Sequence, residues 1–312
     1  MTSHRCRSLC VVASALALVG GLLAVAQVIS PELVAAPLPP GPKPGDTREF
    51  PIAAGVKMVF CWIPPGIAQL GSPKTEQDFL TRTEFDGKRP DWMHDEDEAA
   101  RGEFKSKGFW LGKYEVTQGE WTAVMGSNPS EFAATGSDED ARNRLEGLDT
   151  NRFPVERVSW DDCQLFLKKV NEFAGRQRGR FVLPHEDEWE YAYRGGKGNG
   201  RAFYWGDTLN GTEANCRGNV PYGGSEKGSY LERTTEVGSY ERKSPHPWGL
   251  CDMAGNVWEW CDNKFSQLND CRILRGGSWN FYARYCRAAN GIGRMPGTRS
   301  SYCGFRVCSR LD

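Results

Sequence analysis

Histidine is scarce in this sequence, with four in 312 residues, at positions 4, 94, 185 and 246, and no two close together. That excludes the clustered imidazoles of a non-haem iron site. No Cys-x-x-Cys pair occurs, so a zinc centre lacks its usual ligand framework as well. Net charge is also missing. The 39 Lys and Arg nearly cancel the 40 Asp and Glu, leaving no overall field to attract nucleic acid or an anionic membrane, and no nucleic-acid partner is expected. There is no internal repeat. What the chain has in quantity is 36 Gly, 18 Pro and 11 Trp, the composition of a body built from turns and aromatic packing rather than long regular helices.

The N-terminus reads as a targeting segment. His4, Arg5 and Arg7 precede an apolar run from Val11 to Val25, and Ala24-Val25-Ala26 is a small-x-small cleavage pattern. Residues 1–26 are therefore read as a signal peptide cut after Ala26. The alternative is an uncleaved anchor, because Val11 to Ile29 approaches the ~20 apolar residues of a membrane span; the shortness of the run and its flanking charges favour cleavage. Either way the protein is expected to be exported, whether periplasmic, extracellular or anchored to the envelope, and to meet a membrane only through this segment. Residues 27–46 form a proline-rich linker, stiff because proline fixes φ and removes a donor. Cys6 and Cys10 fall in the targeting segment, which leaves Cys61, Cys163, Cys216, Cys251, Cys261, Cys271, Cys286, Cys303 and Cys308. Nine is odd, so at least one stays free or pairs with another chain, and the others are expected as structural disulfides or buried thiols.

From residue 47 to 312 the pattern is that of one α+β domain. Val56 to Ile63 has the β-branched and aromatic content of a buried strand ending at Pro64-Pro65-Gly66. Thr75 to Glu103 is dense in charge with little apolar periodicity and reads as a solvated loop. Phe109 to Val116 reads as a strand, and Thr117 with Glu120 as a capping box opening a helix. Ser159 caps a second helix, with apolar residues at Leu165, Phe166, Val170 and Phe173. A third begins after Pro184 and stops at Gly195-Gly196. Beyond Phe203 only short strand-like pieces between turns are expected.

Six segments, in order, carry a family resemblance: Phe109 to Thr117, Pro154 to Trp160, Leu183 to Ala192, Gly249 to Trp260, Arg275 to Trp279 and Gly304 to Val307. Together they span nearly the whole mature chain and are similar to the formylglycine-generating enzyme (sulfatase-modifying factor) family. The resemblance implies a loop-rich α+β domain related to the C-type lectin fold, one that often bears structural calcium. Carried over by motif, the calcium ligands would be the Asp252 and Glu259 side chains with the Gly255 and Val257 carbonyls, hard oxygens of the kind calcium takes. The alternative is that both acids cap turns or pair with arginines. A second family site would draw on Asn215 and the Cys216 carbonyl, but its acidic ligand falls near Ser229.

In the family's oxidases two cysteines follow Gly-Gly-Ser and bind copper(I), a soft ion that selects thiolates. Counted from Gly276-Gly277-Ser278, the first position is Phe281 and the second Cys286; counted back from Gly304-Phe305-Arg306-Val307, both are lost. No bis-thiolate pair results, and copper is not expected. Cys286 is the one catalytic candidate, a thiol that Arg284 and Arg287 could activate, against the alternative of a structural cysteine. Trp279, Tyr282, Arg284, Arg287, Arg294 and Arg306 suggest a substrate groove for a peptide or small anionic ligand, since arginine forks and aromatic faces dominate such contacts; the same residues also fit buttresses of a loop-rich core. Three functions follow: a non-oxidising family member that binds a protein or peptide, an active oxidoreductase converting a sulfatase cysteine to formylglycine, or a structural module of the envelope.

Overall fold

The protein is described here from a computed structural model, which covers residues 42–85, 87, 100–175, 180–265 and 270–310. Residues 1–41, which include the expected signal peptide and most of the expected linker, lie outside the described residues.

Two sheets organise the domain. In the first, the order is β1 (Thr47–Ala53), β2 (Val56–Ile63), β5 (Phe109–Gly112), β11 (Cys308–Arg310) and β6 (Arg180–Val182), and all neighbours run antiparallel. The second has the order β10 (Cys303–Gly304), β7 (Trp258–Lys264), β8 (Arg272–Arg275) and β9 (Gly291–Arg294), with only β10 parallel to its neighbour. A short antiparallel pair, β3 (Gly66–Leu70) with β4 (Gly102–Ser106), stands apart. The last fifteen or so described residues thus contribute a strand to each main sheet, tying the C-terminus to strands from early in the chain.

The helices follow their caps. α2 (Gln118–Met125) opens on Thr117, whose side chain accepts from Glu120 N while Glu120 reaches back to Thr117 N, two donors satisfied reciprocally. α4 (Trp160–Ala174) opens the same way on Ser159 and Asp162. Its buried face is Cys163, Phe166, Leu167 and Val170, whereas Leu165 and Phe173 are 53% and 51% exposed: Leu165 turns away from the centre of that face at 100° per residue, and Phe173 lies in the last turn of the helix, beyond Val170. Phe166 stacks on Trp121 at 5.4 Å and 4°, and the Phe305 ring meets it edge-on at 5.4 Å. α5 (Glu186–Tyr193) is capped by His185, whose Nδ1 accepts from Asp187 N, with Glu188 completing the box. A short α3 covers Glu139–Asn143.

Two expectations need correction. The charged stretch from Thr75 is not all loop: it holds α1 (Lys74–Glu84) and then β4, while residues 86 and 88–99 lie outside the described residues. Few apolar residues are needed for this helix, since Leu80 is fully buried and Phe79 packs beside it, and tertiary contact outweighs weak periodicity. The strand at Phe109 ends at Gly112 rather than Val116, because Gly112 N and Lys113 N turn to the carbonyls of Val307 and Val59.

Buried charge locks the sheets to α5. Glu190 is wholly buried, and its Oε1 accepts from Gly71 N (2.8 Å) and Arg194 Nε (2.7 Å). Its Oε2 accepts from a terminal nitrogen of Arg275 (2.5 Å) and from Arg101. Burial alone would raise this carboxyl; Arg101, Arg194 and Arg275 outweigh it and hold it at about 2. A carboxyl depressed below its unfolded value of about 4.3 contributes stability that is complete above that value and lost as pH falls toward the folded one. Glu190→Gln should therefore cost about 3–5 kcal/mol, because it leaves buried arginines uncompensated, and should flatten the loss of stability between about pH 4 and about pH 2. Denaturant melts across that range test this; an unchanged acid limb would remove Glu190 from the account.

Candidate functional site

Four of the six motif segments meet at Arg306. This guanidinium is fully buried and forks onto Glu259, Nε to Oε2 and a terminal nitrogen to Oε1, both at 2.6 Å. Its remaining donors reach the carbonyls of Gly112 and Cys251, each at 3.0 Å. Trp189 Nε1 donates to Glu259 Oε2 at 2.7 Å. Glu115, also fully buried, accepts from Asn256 Nδ2 (2.6 Å) and Val257 N (3.1 Å). Burial, with Asp252 and Glu259 nearby, pushes the Glu115 carboxyl well up against the pull of Arg306. Burial likewise lifts Asp252 to about 6, even though its Oδ2 accepts from Gly238 N. One arginine thus faces three desolvated carboxyls, and two of them are driven toward the neutral form.

The calcium ligands carried over by motif are engaged within the protein in part: both Glu259 oxygens are held by Arg306 and Trp189, so a cation there would share them with the arginine, and Asp252 Oδ2 accepts from Gly238 N. Asn215 Oδ1 is buried without a hydrogen-bond partner, yet the Cys216 carbonyl is taken by Gly218 N at 2.8 Å. Among the described residues, no three His, Cys, Asp or Glu side chains are grouped to hold a metal.

Cys286 closes a 3₁₀ turn over Ala283–Cys286 and is fully buried. Its thiol is pushed well up, first by a hydrogen bond with the Cys216 thiol and then by burial. The activation expected from Arg284 and Arg287 does not occur, since Arg287 turns to Glu76 (2.7 Å) and Arg284 to Glu84 (3.3 Å). Gly277, at φ 76°, is needed here because a Cβ would collide with the Cys286 sulfur. At the other expected cysteine position, the Phe281 ring packs edge-on against Trp258, Tyr285 and Tyr302 at 5.3–5.5 Å.

The predicted groove is partly assembled. Arg306 and Arg287 are fully buried and committed internally, so they cannot meet a ligand. Arg294 lies on β9, paired in register with Arg272. Trp279, Tyr282 and Arg284 do belong to one half-buried ladder, joined by residues that sequence reasoning missed. Tyr230 stacks on Trp279 (6.4 Å, 14°). The Arg217 guanidinium lies over both Tyr230 (5.4 Å) and Tyr282 (5.2 Å), and Arg284 lies over Tyr282 (4.9 Å), Tyr285 (4.8 Å) and Phe85 (5.3 Å). Arg217 N bonds the Phe281 carbonyl at 2.9 Å, which fixes it beside Tyr282. Its Nε has no hydrogen-bond partner, and it pairs with no carboxylate among the described residues. No motif or periodicity flags Arg217 or Tyr230; they come together only through the fold of a segment without regular structure.

Comparison with known proteins agrees with this architecture. Residues 53–311 match the sulfatase-modifying factor enzyme 1-like domain. The formylglycine-generating enzyme of Streptomyces coelicolor is 34% identical over 196 residues, covering 56% of this chain and 57% of the relative. The inactive C-alpha-formylglycine-generating enzyme 2 of Bos taurus is 30% identical over 181 residues, covering 56% and 54%. The chain thus spans about half the length of these curated relatives. Among solved structures, Treponema denticola variable protein 1 superposes with a TM-score of 0.61 at 24% identity over 85% of this chain and 99% of that one. PvdO from Pseudomonas aeruginosa gives 0.60 at 22% over 87% and 100%. With a family match across most of its length and the same fold in its structural neighbours, the chain belongs to the sulfatase-modifying factor enzyme 1-like family.

Proposed function

We propose that this protein is an exported, non-oxidising member of the family that binds an acidic segment of a protein or peptide on the Arg217 ladder. The observation that carries the reading is Arg217 itself. Two tyrosine rings lie against its guanidinium, its Nε is buried without a hydrogen-bond partner, and among the described residues no carboxylate pairs with it. A guanidinium held in this way is preorganised to offer its terminal nitrogens to a carboxylate, with stacking fixing its orientation. Tyr230 and Trp279 lie alongside for an aromatic neighbour, the residue types that anchor such interfaces. Export rests on the N-terminal segment. No helix among the described residues is long and apolar enough to cross a membrane, and the segment itself is outside them.

The lost cysteine pair supports a binding role. Phe281 offers no ligand, and Cys286 faces Cys216 inside the core rather than a substrate. In an oxidising compartment we take Cys216 and Cys286 to close as a structural disulfide. The relatives include one that is named inactive.

Binding is tested by fluorescence anisotropy with a labelled Glu-Tyr-Glu peptide and its Gln-Tyr-Gln counterpart. Only the acidic peptide should bind. Arg217→Ala should weaken it about 10- to 100-fold, the worth of a charged hydrogen bond of about 1.5–3 kcal/mol, with Arg217→Lys between the two because lysine lacks the planar fork. Equal binding of both peptides, or an Arg217→Ala protein that binds like the parent, would refute the assignment.

The cysteine reading has its own test. Peptide mapping of protein secreted under oxidising conditions should join the Cys216 and Cys286 peptides. Removing the bridge by a double substitution to serine should cost about 2–4 kcal/mol. A Cys-x-Pro-x-Arg peptide incubated with the reduced protein and copper(I) should keep its cysteine; its conversion to formylglycine would restore the oxidase.

A further inference from the structure

The chain that leaves α5 interleaves glycine with polar and basic residues: Gly195-Gly196-Lys197-Gly198-Asn199-Gly200-Arg201. Lys197, Gly198, Gly200 and Arg201 wall a cavity of about 170 Å³, closed on its other side by Arg194, Phe203 and Tyr204. Three basic residues line it and no carboxylate does. Asp207, the first acid after the loop, accepts from Ala202 N at 2.9 Å and lines a different cavity.

Arg194 is committed to holding the loop. It is 3% exposed, its Nε donates to Glu190 at 2.7 Å, and one terminal nitrogen reaches the Arg201 carbonyl at 2.9 Å. Its charge is therefore matched by Glu190, and loop carbonyl is drawn inward to it. The N–H groups of residues 198–201, by contrast, make no hydrogen bond among the described residues. Gly196 and Gly198 take left-handed φ of 73° and 70° while Lys197 between them does not; such alternation is how a backbone nest turns N–H groups toward an anion.

The two remaining cations are within reach of a ligand. Lys197 is half-buried and makes neither hydrogen bond nor ion pair among the described residues, and Arg201 is exposed with only a long bond of 3.4 Å to the Trp205 carbonyl. The last carbonyls of α5, which would repel an anion, are already occupied: Glu190 and Ala192 accept from Arg194 N and Gly195 N, and the Tyr193 carbonyl meets His246 Nε2, each at 3.0 Å. A point charge, a guanidinium fork and a row of amides suit a dianion with several acceptor oxygens, whereas a carboxylate has one charge and two oxygens to offer. The cavity is smaller than the roughly 300–1,000 Å³ of ordinary ligand sites, so it takes a compact head group.

We infer that this loop is a phosphate site, taking inorganic phosphate or a small phosphomonoester on Lys197, Arg201 and the loop N–H groups. It shares no residue with the Arg217 ladder, so the two sites succeed or fail separately.

The test is isothermal titration of the full chain, at fixed ionic strength, with inorganic phosphate, glycerol 3-phosphate and acetate. Both phosphates should bind at least tenfold tighter than acetate, and the tighter of the two names the source of the phosphate group. Lys197→Gln and Arg201→Gln should each weaken phosphate several-fold, and together tenfold or more, without shifting the melting temperature, because neither side chain supports the core. Arg217→Ala should leave phosphate binding unchanged. Acetate binding as tightly as phosphate, or no phosphate binding in the millimolar range, would overturn the proposal. So would phosphate affinity that survives the double substitution or is lost with Arg217.

Discussion

The pairing of Arg306 with Glu259 is the interaction on which the rest of this structure depends. Burying two charges is costly and worthwhile only when geometry and additional hydrogen bonds are close to ideal. Here both fork contacts are 2.6 Å, Trp189 donates to the same carboxylate, and the spare arginine donors reach two carbonyls. Those carbonyls belong to Gly112, at the end of a strand of the first sheet, and Cys251, in a loop. Glu259 itself lies in the second sheet. One side chain therefore joins both sheets to chain that has no regular structure of its own.

That junction explains how a long segment with no helix or strand, residues 203–257, can be ordered. Its backbone groups need partners just as those of a helix do, and they find them through side chains. Asn256 Oδ1 accepts from Thr235 N and Asn215 Nδ2 while its own amide donates to Glu115. Asn256 N in turn bonds the Asn215 carbonyl. The left-handed conformations of Asp252 (φ 54°) and Asn256 (φ 58°) let the chain turn back on itself within this network, a conformation that Asn and Asp tolerate better than most residues.

Much of this was legible in the sequence because buried ion pairs and caps demand particular residue types. Glu259, Arg306, Glu190 and Arg275 each sit in a recognisable motif, and each turns out to serve the core. The capping boxes at Thr117 and Ser159 were equally readable, since their logic lies within four residues. The same specificity misled the reading of function: arginines near the C-terminus looked like a groove, but whether a guanidinium faces ligand or core depends on a carboxylate far away in sequence. Glu76, the partner of Arg287, stands in the stretch that charge density marked as loop. Arg217 escapes the sequence for the converse reason, having no carboxylate partner among the described residues and lying where no periodicity exists.

The pattern of commitment separates architecture from binding. At the junction the Arg306 donors and both Glu259 oxygens are engaged within the protein, so a ligand would have to compete with the core for them. Buried charged groups with an unpartnered atom include Arg217 on the ladder, and also Arg275, Arg284, Glu156, Glu76 and Glu213. Where an oxidase of this family would need an accessible thiolate pair, this chain has the Phe281 aromatic cluster and a thiol turned inward to Cys216. A buried thiol with a raised pKa is neither a good nucleophile nor a good metal ligand, whereas an arginine flanked by rings is a recognition element as it stands. On the proposed reading the family scaffold is kept without the oxidase chemistry, which is the condition under which a fold is free to bind without reacting.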